Sequence, residues 1–165
     1  MLSAELSLVE DWMGEPHVAR WYLRGSTLED EIEDLRRSID GDQATTVLLV
    51  LDGDEPIGWC QWYLCREYPE HAAGVGADGD DAGIDYAIGA PTHTGHGVGS
   101  TLVAVLVAHI RSRHPGVAVI ADPAAANLAS RRVLEKNGFE LVDERVVPSE
   151  RSQEPVAIYR LPAEG

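Results

Sequence analysis

The run Thr94-Gly95-His96-Gly97-Val98-Gly99-Ser100, set directly before the apolar stretch Thr101 to Ile110, constrains this chain more than any other segment. Glycines at 95, 97 and 99 leave three backbone amides unshielded by side chains. The apolar stretch reads as a helix, which adds its own free amides and the positive end of its dipole. Together they make a site for a phosphate or pyrophosphate that needs no lysine. A loop that only turns the chain can carry the same glycines, so the run needs support from elsewhere. It is not a Walker-type loop, because no Lys-Ser/Thr follows the last glycine. Its G-x-G-x-G spacing also differs from the dinucleotide fingerprint G-x-G-x-x-G.

At 165 residues the chain reads as one domain, residues 1–165, large enough for a real core. No run approaches the ~20 apolar residues of a membrane span. No basic segment followed by an apolar one opens the chain, so no secretory signal is expected. Cys60 and Cys65 fall on one strand-like run and point to opposite faces, which argues against a mutual disulfide. The expectation is a reduced, cytoplasmic protein, monomer or homodimer. The net charge of −15 disfavours nucleic acid and anionic membranes as partners and permits a polycationic ligand. Solubility alone accounts for the same charge. Glu67, Glu70, Asp78, Asp80, Asp81 and Asp85 cluster mid-chain, and Glu29, Asp30, Glu31, Glu33 and Asp34 read as the solvated face of a helix.

A strand is expected near Ala4 to Leu8, then a short helix with Asp11 as cap and His17 to Tyr22 near its end. A longer helix is expected from Thr27 to Ser38, capped at Ser26 or Thr27. Thr45 to Leu51 and Ile57 to Leu64 form a hairpin about Asp52-Gly53-Asp54. Tyr68 to Asp81 reads as a loop, and Ile84 to Ile88 as the strand entering the glycine run. A helix from Ser100 to Arg113 stops before His114-Pro115-Gly116. Val117 to Ala121 is a short buried strand, Asn127 to Asn137 a helix ended by Gly138, and Glu140 to Val147 and Val156 to Leu161 closing strands. This order predicts an α/β domain on a mixed sheet.

The segment Asn127-Leu-Ala-Ser-Arg-Arg-Val-Leu-Glu-Lys-Asn-Gly-Phe139, downstream of the glycine run, narrows the reading. The pair resembles the two cofactor motifs of the GCN5-related N-acetyltransferase superfamily. The resemblance covers nearly the whole chain in element order and implies a mostly antiparallel central sheet flanked by helices. Within the superfamily the chain is most similar to aminoglycoside 6′-N-acetyltransferases, through His17-Val18 with Trp21-Tyr22, Glu55-Pro56-Ile57-Gly58 with Gln61 and Tyr63, Gly83-Ile84-Asp85, Asp122-Pro123, and Val156 to Tyr159. It implies acetyl-coenzyme A as co-substrate, no metal, and a polycationic amino sugar as acceptor; the alternatives are an acetyltransferase of the same fold acting on a siderophore hydroxylysine or a protein N-terminus, or a non-catalytic module binding acetyl-coenzyme A or a cation. The implied cofactor residues are Ala87, Ile88, Thr94, Gly95, His96, Gly97, Val98, Gly99, Ser100, Asn127 and Arg132, with a backbone amide near Ile88 polarising the thioester oxygen. Two positions depart from the pattern. Thr94 stands where Arg or Gln is usual, and Leu134 where many members carry a tyrosine that protonates the departing thiolate. Tyr86 or a water is left for that step.

Acetyl transfer to an amine needs a neutral amine, a positioned thioester and a proton acceptor. Alternation puts Asp85 and Ala87 on one strand face and Tyr86 and Ile88 on the other. Asp85 is the expected catalytic acid: it holds the ammonium, takes its proton and aims the nitrogen. Asp122 follows a short apolar strand, at the end where α/β sheets bind ligands, and also reads as a turn-forming Asp-Pro. Gln61 and Tyr63 share a face with Trp59 and present an amide and a ring to a sugar, or simply pack. Trp21 and Tyr22 stack on a sugar ring, or belong to the core. Glu70, with Glu67 and Asp80, forms an acidic rim for a polycation, or a solvated loop. The six histidines show no metal-ligand spacing, and no cysteine nucleophile is indicated, so direct transfer in a ternary complex is expected.

Overall fold

The computed structural model describes residues 1–165. The elements run α1 (Leu6–Met13), α2 (Pro16–Tyr22), α3 (Leu28–Ile39), β1 (Thr46–Asp52), β2 (Glu55–Leu64), α4 (Pro69–Val75), β3 (Ala82–Ile88), α5 (Val98–Arg113), β4 (Val119–Ala121), α6 (Leu128–Lys136), β5 (Glu140–Arg145) and β6 (Val156–Leu161). The strands form one sheet in the order β1-β2-β3-β4-β6-β5. Every neighbouring pair is antiparallel except β3 and β4. This is the mixed, mostly antiparallel α/β sheet expected. No helix is long and apolar enough to cross a membrane.

The alternation of the strands divides the core. Cys60, Trp62 and Ile84 face α5 and α6 and pack with Val103, Leu106, Ile110, Leu134, Phe139 and Tyr159. Val47 and Trp59 face the other way, onto Leu6, Val9, Met13, Val18, Ile32 and Leu35 of α1, α2 and α3. A third cluster joins Val75 of α4 to Ile120, Val147, Val156 and Ile158. Ile120 alternates with Val119 and Ala121 of the first cluster, so α4 covers the same sheet face as α1–α3, at the other end. The face between these two groups of helices stays open.

Two local features shape that opening. β3 pairs with β2 over seven residues but with β4 only at Ala82↔Val119 and Gly83↔Ile120. Beyond Gly83 the two parallel strands part. Pro123, two residues past the end of β4, has no N–H to give a ladder, and its carbonyl accepts from Ala157 N at 2.8 Å. Ala124 then bridges to Val156, so the chain after β4 follows β6 and abandons β3.

The ends of the helices explain what the sequence signals meant. α3 starts in a capping box: Asp30 N donates to Thr27 Oγ1 and Thr27 N donates to Asp30 Oδ2, both at 3.1 Å. α6 ends in a Schellman motif, with Gly138 at φ 83°, Gly138 N donating to Glu135 O and Phe139 N to Leu134 O. Three expectations fail. Ala4 to Leu8 is not a strand but a 3₁₀ turn leading into α1, because Leu6, Val9 and Met13 recur at helical spacing and are all buried. Asp11 accordingly lies exposed within α1 and caps nothing, and the second helix opens instead on Pro16. The segment Tyr68 to Asp81 contains α4, with Pro69 at its start and left-handed Gly76 at its end. Proline and glycine there punctuate a helix rather than a loop.

Leu134 is fully buried in the first cluster, under α6. Leu134→Ala is expected to cost about 2–5 kcal/mol of stability, read as a lowered midpoint in urea unfolding.

Candidate active site

The glycine run builds an open cradle. Gly95 and Gly97 both have φ of 77°, a conformation that side-chain-bearing residues rarely adopt, and a Cβ on either would meet nothing within 4 Å. The amides of Gly95, His96 and Gly97 make no backbone hydrogen bond. α5 begins at Val98, and Thr101 N donating to Gly97 O (3.2 Å) is its first bond, which leaves the amides of its opening turn free as well. Asn137 secures the cradle from α6: its Nδ2 donates to Ser100 O at 3.1 Å and to Val133 O at 2.9 Å. Gly99 approaches Val133 closely, and a Cβ would lie 3.4 Å from its methyl. Thr94 Oγ1 donates back to Pro91 O (2.8 Å), so its side chain fixes the loop. Arg132 is exposed and makes no ion pair. Asn127 caps α6, accepting from Ser130 N at 3.2 Å. Ala87 and Ile88 end β3, beyond its pairing with β4, and His17 Nε2 donates to Ile88 O at 3.0 Å.

Next to it, on the open sheet face, is a cavity of about 490 Å³. The strand register lays its floor. Gln61 lies opposite Asp85 and donates from Nε2 to Asp85 Oδ2 at 2.9 Å. Tyr63 lies opposite Gly83, and a Cβ there would sit 2.3 Å from its ring, so the glycine makes room for the tyrosine. Trp21 and Tyr22 wall one side, Tyr22 tilted against Trp59 with ring centroids 5.1 Å apart. Asp122 lines the cavity where β4 leaves β3. Tyr86 and Ser130 line it from β3 and α6, their hydroxyls 2.7 Å apart.

The cavity concentrates acid. Glu31, Asp34, Asp85, Asp122 and Glu150 all line it, against His71 and Arg24. Burial, reinforced by the nearby charge of Asp122, pushes Asp85 up to about 6. The same two causes push Glu150 up to about 7. Burial opposes the charged form of His71, but the hydrogen bond and charge of Asp122, with Glu150, override it and raise the imidazole to about 9. His71 Nε2 lies 3.3 Å from Asp122 Oδ2, and Nδ1 3.3 Å from Glu150 Oε1. These three side chains have ligating atoms within 4.8 Å of one another, the spacing of a metal-binding group. As placed, however, the ring offers a different nitrogen to each carboxylate. That placement suits an imidazolium lying between two carboxylates, with Nδ1 also 3.3 Å from Ser149 Oγ. Burial raises Tyr86 to about 12 and Cys60 to about 12, so at neutral pH the phenol keeps its proton and the thiol is inert.

The structure thus brings together Trp21, Tyr22, Gln61, Tyr63, Asp85 and Asp122. It does not bring in Glu70. That residue is exposed on α4, whose next position, His71, turns inward instead. Glu67 and Asp80 pair with Arg66 and, like Glu70, do not line the cavity, so the expected rim does not form; Asp81 is buried against Arg160 at 2.6 Å. The acidic wall comes from elsewhere. Glu31 and Asp34, three apart on α3, face the cavity, while Glu29, Asp30 and Glu33 are solvated. Helical spacing could have separated them. Nothing in the sequence points to Glu150 or His71, which join the site only through the packing of α4 and the β5–β6 loop: Gly74 admits Val147, whose methyl would be 2.7 Å from a Cβ.

A carboxyl raised above its unfolded value binds its proton more tightly in the native state. Asp85 therefore favours folding most below about pH 4, and this contribution is lost as pH rises through about 6. Asp85→Asn, which keeps an acceptor for Gln61, is expected to stabilise the fold by about 2 kcal/mol at pH 8 and to leave it unchanged near pH 3.5, as read by urea unfolding at the two pH values.

With this geometry in view, comparison with known proteins is direct. The family profile of the acetyltransferase (GNAT) domain matches residues 1–147. The chain is 27% identical over 143 residues to an aminoglycoside N(6′)-acetyltransferase type 1 from Klebsiella pneumoniae, covering 85% of this chain and 71% of that one. It is similar to the crystal structure of aminoglycoside acetyltransferase AAC(6′)-Ib in complex with coenzyme A and kanamycin, with a TM-score of 0.82 and 26% identity over 98% of this chain and 91% of that one. An aminoglycoside N(6′)-acetyltransferase from Legionella pneumophila shares the fold, with a TM-score of 0.79 at 21% identity over 98% and 88% of the two chains. A cradle of free amides beside a parted β3–β4 pair, and a family match over most of the sequence, have one common explanation: the chain belongs to the GNAT acetyltransferase family.

Proposed function

We propose that this protein is an aminoglycoside 6′-N-acetyltransferase, with residues 1–165 working as one catalytic domain in the cytoplasm. The observation that carries the acceptor class is the cavity of about 490 Å³ with five carboxylates, centred on the half-buried Asp85. A polycation with hydroxyl-bearing rings complements both its charge and the aromatic and amide groups on its floor. The relatives with aminoglycosides in their names support the same reading.

Acetyl-coenzyme A supplies an activated acetyl thioester. Its pyrophosphate fits the amides of Gly95 to Ser100, where glycine leaves space for the phosphates and the start of α5 adds positive potential. Arg132, free of ion pairs, adds a positive charge on α6, and Asn127 holds that helix start in place. The uncovered edge of β3 at Ala87 and Ile88 offers backbone groups to the rest of the cofactor, with the Ile88 amide suited to the thioester oxygen.

Asp85 receives the acceptor's ammonium, takes one proton and leaves a neutral amine to attack. Its value near 6 makes it ionised at neutral pH and still a better base than a solvated aspartate. Gln61 fixes the carboxylate's direction. Leu134 has no proton to give to the departing thiolate. Tyr86 keeps its proton and lines the cavity from the strand that ends at Ile88, so it is the donor we assign to that step.

The test is release of coenzyme A thiol from acetyl-coenzyme A with kanamycin, a hydroxylated lysine or an acceptor peptide. Turnover is expected with kanamycin alone; turnover only with another amine overturns the proposal. kcat/KM should rise with pH through about 6 as Asp85 ionises. Asp85→Asn should lower kcat by ~10²–10⁴-fold while binding of acetyl-coenzyme A, measured by calorimetry, stays unchanged.

A further inference from the structure

The five carboxylates of the cavity are not equivalent. Asp34 accepts from Arg151 at 2.9 Å, and Glu31 lies 3.5 Å from the same guanidinium and accepts from Ser26 Oγ at 2.5 Å. Asp122 and Glu150 each face one nitrogen of His71, at 3.3 Å. Asp85 alone has no cationic partner in contact; it is held by the neutral amide of Gln61. Four of the five acids therefore come already matched to cations of the protein itself.

We propose that His71 is a specificity-determining residue: by occupying the cationic position between Asp122 and Glu150, it denies that end of the cavity to the acceptor's ammonium groups and leaves Asp85 as the anchor, so that one amine of a polyamine is acetylated. This rests on the reading of the cavity as an amino-sugar site. An acceptor with several similar amines can enter a pocket of bare carboxylates in several registers, each seating a different ammonium. Specificity then needs a penalty on the wrong registers, not only attraction for the right one. Displacing a cation from two carboxylates at once supplies that penalty.

The two masks differ in strength. Arg151 and Asp34 are 48% and 42% exposed, so their pair is screened and yields readily to an incoming ammonium. His71 and Asp122 are 18% and 9% exposed, while Glu150 at 38% is the outer member, and His71 is further bounded by Ser149 Oγ at 3.3 Å and by the ring of Tyr63, with centroids 6.3 Å apart. The inner mask is thus the discriminating one. It is also built into the scaffold, because α4 carries His71, the end of β4 carries Asp122 and the β5–β6 loop carries Glu150.

The experiment compares wild type, His71→Gln and His71→Arg with kanamycin, resolving the mono-acetylated products by NMR. Wild type is expected to give one regioisomer. His71→Gln should raise the proportion of a second regioisomer by about tenfold, a change worth about 1.4 kcal/mol, and lower KM for the acceptor at low salt. His71→Arg, which keeps the cation, should restore the single product. The same product ratio in all three proteins overturns the proposal while leaving the acetyltransferase reading intact. Acetylation of no amino sugar by wild type overturns both. Should His71→Gln fail to fold, the ring ¹⁵N shifts of wild-type His71 decide instead. Two protonated nitrogens at pH 7.5, unchanged on adding kanamycin in the presence of coenzyme A, support the mask. A ring that loses its proton on kanamycin binding overturns it.

Discussion

The separation of β3 from β4 is the feature on which the site depends. Parallel strands ordinarily continue side by side, yet these two share only two register pairs. β3 is held to β2 over its full length, and the chain after β4 is committed to β6 by Pro123, which cannot donate to β3 and whose carbonyl is taken by Ala157. The result is a sheet that is continuous at one end and open at the other. Ile84 to Ile88 gain an uncovered edge, and Asp122 reaches the cavity at the point of parting. The glycine run, which follows directly from the end of β3, is delivered to the same opening. One topological fact therefore places an anion cradle, an unpaired strand edge and two carboxylates together.

The second face of the sheet adds the cavity by omission. α1, α2 and α3 cover one end, with Trp59 at the base of their packing, and α4 covers the other. What lies between is floored by Gln61, Tyr63 and Asp85. Desolvation there has a double consequence. It raises Asp85 towards neutrality, which costs stability when the group ionises and makes it a useful proton acceptor. It also makes unpaired charge expensive, and the remaining acids meet resident cations. The charge of −15 is thus not spread evenly. Much of it is solvated or paired, and the chemically open share sits at one residue.

Much of this was legible in the sequence, and the reasons for success and failure are specific. The glycine cradle, the capping of α6 by Asn127 and its termination at Gly138 rest on short-range backbone physics, which the order of residues states outright. The opposition of Asp85 and Tyr86 across β3, and the shared face of Trp59, Gln61 and Tyr63, follow from the period of two. Sequence and structure part where two periodicities compete over few residues. Ala4 to Leu8 is apolar enough for a strand, but Val9 and Met13 extend it into a helical spacing whose apolar face is buried. In the stretch from Tyr68 to Asp81, glycine and proline density concealed a helix of seven residues. Glu70 accordingly stays exposed, while the helix turns its neighbour His71 inward.

The sequence by itself determined most of the local elements, the glycine loop with its free amides, the strand face of Asp85 and the excess of acid. It determined these because capping, positive φ and alternation depend on residues within a few positions of one another. Only the tertiary structure decided which acids share the cavity and which of them are already matched. His71, Asp122 and Glu150 are distant in the chain, and their meeting depends on α4 docking against the β5–β6 loop and on β4 parting from β3. Burial and charge pairing are properties of that assembled space, and no run of residues contains them.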